Sequence, residues 1–377
     1  MFSSPKYTFI LSSLSLFGIN TLLSYINPSS IPTILSTHQI DPFLRSKNCI
    51  PLNKSKLSIF SGTANHALSE EVAKSLGLTL SKSISNHYSD GECNIHLLES
   101  VRGKNCYIIQ PTSTPVNENL MELLLTIGTM RRASAKSITA VIPYYGYGRS
   151  DRKQKKLTPI SAADVAKLLE AVGVDRCMCV DLHCGQIQGF FEPTIAVDNL
   201  KSIPLMVKYL IKKNLISDYN KLMIVSPDHG GVHRAKAFAE LLMEKTGNKN
   251  IGTTIIIKER KRPNEISKMD LVGDVKGCDC IIVDDLIDTG NTLCLAAQCL
   301  KDNGAENVYC FATHGLFNGL ALEKIKNSVL KKVIVTNTIP ENKSKECDKI
   351  ERISVALLIA EAIRRVQNNE SMTDLAA

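Results

Sequence analysis

The amino-acid sequence predicts an α/β protein, and three observations carry that prediction. Short apolar strands alternate with segments of helical spacing. Each strand runs at once into a polar or glycine-rich cluster. Composition is that of an ordinary globular chain, 44% apolar and 22% charged over 377 residues. Strands alternating with helices imply mostly parallel sheets flanked by helices. In such sheets ligands bind outside the carboxyl ends of the strands, so the clusters converge on one edge of one or two sheets.

Length allows one large domain or two ordinary ones, and the composition excludes collagen-like, low-complexity and wholly disordered chains. Lys and Arg outnumber Asp and Glu 45 to 37, a formal balance of +8 that suits phosphorylated small molecules or nucleic acid without choosing between them. Most of the 12 cysteines lie inside apolar runs, which reads as reduced thiols in an intracellular protein. Cys177 and Cys179 lack a second pair or a His at zinc-ligand spacing.

Residues 1–51 form an extension. From Tyr7 to Ile40 only His38 can carry a positive charge, and Phe9 to Ile26 mixes Leu, Ile and Phe with Ser and Thr behind Lys6. This pattern fits a targeting leader or a disordered extension, and Ser, Gly18 and Asn20 interrupt it too often for a transmembrane span. Membrane contact is expected only through this leader, if it stays uncleaved. The body begins with a strand at Lys56 to Ser61. Further strands are read at Ser137–Ile142, Cys177–Val180, Leu222–Val225 and Ile281–Val283. A boundary falls in the lysine-dotted helical stretch near residues 200 to 220, giving domains over 52–203 and 204–366 and a tail over 367–377. Ser354 to Val366 has helical apolar spacing and ends in Arg364 and Arg365, favourable at a helix C-terminus.

The sharpest cluster runs Asp284-Asp285-Leu-Ile-Asp288-Thr289-Gly290-Asn291-Thr292, followed by a helix with Leu293, Ala296, Ala297 and Leu300 on one face. Gly290 permits a tight turn, and successive N–H groups with the Thr hydroxyls form an anion cradle. Asp284 and Asp285 would repel phosphate but accept hydrogen bonds from sugar hydroxyls, so a sugar phosphate satisfies both demands. A plain helix capped by Asp288 or Thr292 accounts for only one or two of these residues.

This segment closely resembles the phosphoribosyl-diphosphate-binding motif of the phosphoribosyltransferase-like fold, which implies two similar domains of that kind. Two families share it: transferases that consume phosphoribosyl diphosphate, and the ribose-phosphate pyrophosphokinases that make it. Other segments resemble the second. The basic loop after Pro143, Tyr147-Gly148-Arg149-Ser150-Asp151-Arg152-Lys153, is similar to a family segment whose Arg contacts the nucleotide, with Gly148 and Ser150 replacing the usual Ala and Gln. Asp181-Leu-His183 through Phe191 is similar to a second signature. Val225-Ser-Pro-Asp228-His229-Gly-Gly231 is similar to a third, with His229 at an Ala position. Lys258, Arg260 and Arg262 alternate along an extended segment, share a face, and resemble the family's mobile lid. His87-Tyr88-Ser-Asp90-Gly-Glu92 resembles a segment that completes a neighbouring subunit's nucleotide site.

The resemblance implies transfer of the diphosphoryl group of ATP to the 1-hydroxyl of ribose 5-phosphate, giving 5-phosphoribosyl 1-diphosphate and AMP for nucleotide biosynthesis. It implies Lys258 and Arg260 as catalytic residues. It places Tyr88, Asp90, Glu92, Arg149, Lys153 and His183 at ATP. It assigns Asp228, Asp284, Asp285, Asp288, Thr289, Gly290, Asn291 and Thr292 to ribose 5-phosphate, and Asp181, His183 and Asp228 to Mg²⁺. It also implies a homo-oligomer, a hexamer. Nucleic acid is not an expected partner, because the basic runs lie beside acidic and glycine-rich phosphate sites; the expected location is the cytoplasm, with an organelle addressed by the leader as the alternative. The tail from Glu370 partly resembles one that forms an allosteric site for ADP and phosphate. A phosphoribosyltransferase and a non-catalytic regulatory subunit of a synthetase complex are the alternatives. The first would not need Lys258 and Arg260, and the second would be expected to have a disrupted lid.

Overall fold

The computed structural model describes residues 51–54, 56–153, 155–262, 265–341 and 347–376, with the backbone alone at 258–262, 265–268, 374 and 376. Residues 1–50, and with them the extension's leader, lie outside the described residues.

The first sheet is five-stranded and parallel, in the order β1 (Leu57–Ser61), β4 (Asn105–Ile109), β5 (Ser137–Ile142), β6 (Arg176–Val180) and β7 (Ala196–Leu200). Its strands are near-continuous apolar runs because helices cover both faces. Helices α2 (Val116–Arg132) and α3 (Ser161–Ala171) bury Leu123, Ile127, Val165 and Leu169 on one side. On the other lies α1 (His66–Ser75), whose N-terminus is capped by Asn65 accepting from the Leu68 N–H at 3.2 Å. A separate antiparallel ribbon, β2 (Ser83–His87) with β3 (Cys93–Leu97), projects from this half.

The second sheet is seven-stranded, β10-β9-β8-β11-β12-β13-β14, with only the β9–β10 pair antiparallel. The strands are β8 (Leu222–Ser226), β9 (Gly252–Arg262), β10 (Glu265–Val272), β11 (Asp279–Ile287), β12 (Val308–Gly315), β13 (Leu330–Thr336) and β14 (Ile350–Ile353). Helices α4 (Ile203–Lys213) and α5 (Val232–Thr246) cover one face; α6 (Asn291–Asp302) and α7 (Ala321–Asn327) cover the other. β8 pairs with β9 on one side and β11 on the other, so strand order reverses there. That reversal opens a crevice at the carboxyl ends of β8 and β11.

Helix α8 (Ala356–Gln367) follows the second sheet in sequence yet packs on the first: Leu358, Ile359 and Ile363 share a core with Ile59, Val72, Tyr107 and Val141. Residues 356–367 thus complete the layer of the N-terminal half, although the sequence boundary put 356–366 with the C-terminal half and Gln367 in the tail. Arg364 and Arg365 do sit in its last turn, but both are buried and held by Glu361, and Arg364 also by Glu370. The eleven described cysteines are all free thiols.

Candidate active site

Strand β11 runs four residues past Val283, so Asp284 and Asp285 are strand residues at the edge of the crevice and not part of a loop. Gly290 takes φ +73°, a left-handed turn that any other residue adopts with strain, and α6 starts at the next residue. Neither Asp288 nor Thr292 caps α6; Gly290 occupies the cap position without a side-chain hydrogen bond. The buried face of α6 is Leu293, Ala296, Ala297 and Leu300, as its spacing predicts. Thr289 and Asn291 are exposed and Thr292 half-buried around this turn. Asp228 lies just past β8 and accepts from the Gly231 N–H at 3.1 Å, and the exposed His229 stands beside it.

Two groups from the first half of the chain reach this rim. Arg149 Nη1 is 2.6 Å from Asp288 Oδ2, and His183 Nδ1 is 2.6 Å from Asp285 Oδ2. Residues expected at ATP therefore touch residues expected at ribose 5-phosphate. Burial pushes the Asp284 carboxyl well above the usual carboxylate range, and the charge of Asp285 adds to this. Burial acts on Asp285 in the same direction, but the His183 hydrogen bond and the Arg234 charge outweigh it and hold that carboxyl low. A protonated acid beside a carboxylate can both donate to and accept from neighbouring sugar hydroxyls.

Asp181 requires a correction. It takes φ +42°, so the extended strand stops at Val180 and the alternation that would align Asp181 with His183 stops with it. Its buried Oδ2 accepts from the Ser202 N–H at 3.0 Å, from the Ser202 hydroxyl, and from the Thr313 hydroxyl at 2.9 Å. His314 Nε2 lies 3.2 Å from its carbonyl oxygen. Asp181 ties β6 to β12, and the metal role expected for it does not fit this placement.

Tyr88, Asp90 and Glu92 form the exposed tip of the β2–β3 ribbon, closed by Tyr88 N–H donating to the Glu92 carbonyl at 2.9 Å. Lys153 is exposed on the loop beyond Arg149. Lys258 and Arg260 fall in β9 opposite Met269 and Ile266, while their side chains lie outside the described residues.

Three participants escaped sequence reasoning. Arg234 Nη1 lies 3.7 Å from Asp284 and 3.6 Å from Asp285. Lys324 Nζ donates to Asn291 Oδ1 at 2.6 Å, placing a cation beside the turn. Asn318 donates to Asp288 Oδ1 at 2.8 Å. Arg234 alone left a signal: it lies on the apolar stripe of α5 with Ala235, Phe238, Ala239 and Leu242.

A doubly layered α/β chain with an acid pair and a glycine turn at its switch point defines a sugar-phosphate-binding enzyme of the phosphoribosyl class. Residues 57–173 match the N-terminal domain of ribose phosphate pyrophosphokinase, and residues 245–377 match the phosphoribosyl synthetase-associated domain. The ribose-phosphate pyrophosphokinase of Aquifex aeolicus is 47% identical over 319 residues, 85% of this chain and 98% of that one. That of Helicobacter pylori strain J99 is 47% identical over 317 residues, 84% of this chain and 95% of that one. The crystal structure of phosphoribosylpyrophosphate synthetase from Mycobacterium smegmatis superposes with TM-score 0.76 at 37% identity, covering 83% of this chain and 99% of that one. The chain belongs to the ribose-phosphate pyrophosphokinase family.

Proposed function

We infer that the crevice at β8 and β11 moves the diphosphoryl group of ATP to the 1-hydroxyl of ribose 5-phosphate, releasing AMP. The observation that carries this is the direct contact of Arg149 and His183 with Asp288 and Asp285, which brings the two substrates' residues within one hydrogen bond of each other. The sugar hydroxyls lie on Asp284 and Asp285, the 5-phosphate on the turn from Asp288 to Thr292, and ATP against Arg149 and Lys153. Phosphoryl-type transfer needs positioning and charge neutralisation more than covalent participation. Lys258 and Arg260, closing from β9, supply cations to the transferring group.

Mg²⁺ fits the donors present. The Asp228 carboxylate would hold the ion with waters and substrate phosphates making up the rest, as Mg²⁺ is commonly bound by one or two carboxylates, and the resemblance adds His183 beside it. Among the described residues no larger cluster of His, Cys, Asp or Glu forms a metal cage. Bound there, it would neutralise the phosphate oxygens. The test is ribose 5-phosphate-dependent AMP formation by the purified protein with Mg²⁺. Lys258→Ala is expected to lose on the order of 10²-fold or more in kcat without a change in thermal stability. Absence of AMP from folded wild-type protein would refute the assignment.

The family resemblance supports a homo-oligomer, a hexamer, in which Tyr88, Asp90 and Glu92, exposed on the ribbon tip, complete a neighbour's ATP site. Mixing inactive Tyr88→Ala and Lys258→Ala subunits should restore part of the activity, because some sites then receive both intact halves. The free thiols support a cytoplasmic enzyme, with residues 1–51 as an organelle address the alternative; a fluorescent fusion with and without them decides.

A further inference from the structure

We propose that Arg234 is the positioning residue of the ribose subsite, fixing Asp284 and Asp285 from the protein side so that the sugar meets an already oriented acid pair. The inference rests on the reading of that pair as the ribose site and adds a residue to it.

Arg234 is the third residue of α5, and its side chain is 10% exposed. Placing a guanidinium on an apolar helix face costs desolvation that only a close charge partner offsets. One nitrogen, Nη1, stands almost midway between Asp284 Oδ1 and Asp285 Oδ1, at 3.7 and 3.6 Å. Those separations are too long for direct hydrogen bonds and short enough for strong attraction, so Arg234 acts as a charge centre that favours the Asp285 carboxylate and orients Asp284 beside it.

The remaining contacts constrain the pair from other sides. Asp285 Oδ2 is taken by His183, and Asp284 Oδ1 accepts from the Asp285 N–H at 2.9 Å. Asp284 keeps 23% of its side chain exposed against 7% for Asp285, so Asp284 is the acid that presents surface to a sugar hydroxyl. Gly231 lets the chain pass close to Ser226: a Cβ there would stand 2.9 Å from Ser226 Oγ, with Arg234 Nη1 at an ordinary 3.7 Å.

Initial rates of full-length wild type, Arg234→Gln, Arg234→Lys and Asp284→Asn, with ribose 5-phosphate and ATP varied separately, test this. Arg234→Gln should raise the KM for ribose 5-phosphate about tenfold or more while the KM for ATP stays within about twofold, and Arg234→Lys should recover part of the loss. A merely structural Arg would move both KM values and the melting temperature together. An unchanged ribose 5-phosphate KM in folded Arg234→Gln, or equal rises for both substrates, overturns the proposal. Should the Gln variant fail to fold, the same selective KM rise in Arg234→Lys supports it, and equal or absent change overturns it. Asp284→Asn separates the two readings. If it leaves the ribose 5-phosphate KM unchanged, the ribose-site assignment itself fails. If it raises that KM while the Arg234 variants do not, only the role of Arg234 fails.

Discussion

His183 Nδ1 and Asp285 Oδ2, 102 residues apart in sequence, meet at 2.6 Å across the crevice. The hydrogen bond to Asp285 raises the imidazole above its ordinary value of 6.5, with burial opposing. Its stabilising contribution is complete below pH 6.5 and is lost as pH rises through that raised value. Asp285 is shifted down from 3.8, so its share is present above that pH and lost on acidification through the lowered value. The ligand-free protein should therefore gain most from the pair around pH 6. The melting-temperature difference between wild type and His183→Asn should be largest there and shrink toward pH 8. A difference independent of pH would mean that the contact carries no charge coupling.

Arg149 and Asp288 form the second crossing, with the Arg side chain 51% exposed. An exposed ion pair contributes little to folding, about 0–1 kcal/mol. Arg149→Ala should accordingly leave the melting temperature nearly unchanged. A charge-assisted contact to a polyphosphate is worth about 1.5–3 kcal/mol, so kcat/KM for ATP should fall on the order of 10- to 100-fold. Steady-state kinetics with both substrates varied would show whether the loss falls on ATP.

The sequence displays what is local and periodic. The four buried residues of α6, the bounds of β5 and the tight turn at Gly290 were all legible because each follows from spacing or residue type within one element. Asp181 misled because the partners that consume its carboxylate, Ser202 and Thr313, lie 21 and 132 residues away. Arg234 was visible as a charge on an apolar stripe, but its acid partners belong to β11 and no periodicity links the two. The strand β11 was read short because the acids that end its apolar run still pair with β12 through Asp284 and Ala312.

Gly290 offers a test of the turn itself. Its φ of +73° would strain Ala by about 1–2 kcal/mol. The nearest atoms to an added methyl group would be in Ala321, no closer than 3.5 Å, so the penalty is conformational and not a clash. Gly290→Ala should lower thermal stability by that amount and raise the KM for ribose 5-phosphate more than that for ATP, since the turn's N–H groups move. Equal effects on both substrates would detach the turn from the 5-phosphate.

The buried charges of α8 bear on how the chain closes. Glu361 is 3% exposed; its oxygens accept from Arg364 Nε at 2.7 Å and Arg365 Nε at 2.9 Å. Arg365 also donates to the Ser371 carbonyl, and Arg364 to Glu370. Removing the shared carboxylate leaves two guanidinium groups in a dry layer with fewer partners, and breaking a buried pair in this way costs about 3–5 kcal/mol. Because α8 packs on the first sheet while β13 and β14 belong to the second, that cost is borne where the C-terminal segment returns to the N-terminal half. Glu361→Gln should lower the denaturant midpoint by the corresponding amount. Glu370→Gln, at a partly exposed position that contacts Arg364, should cost clearly less. Equal losses in the two variants would show that the network stabilises as an exposed tail contact and not as a buried anchor of α8.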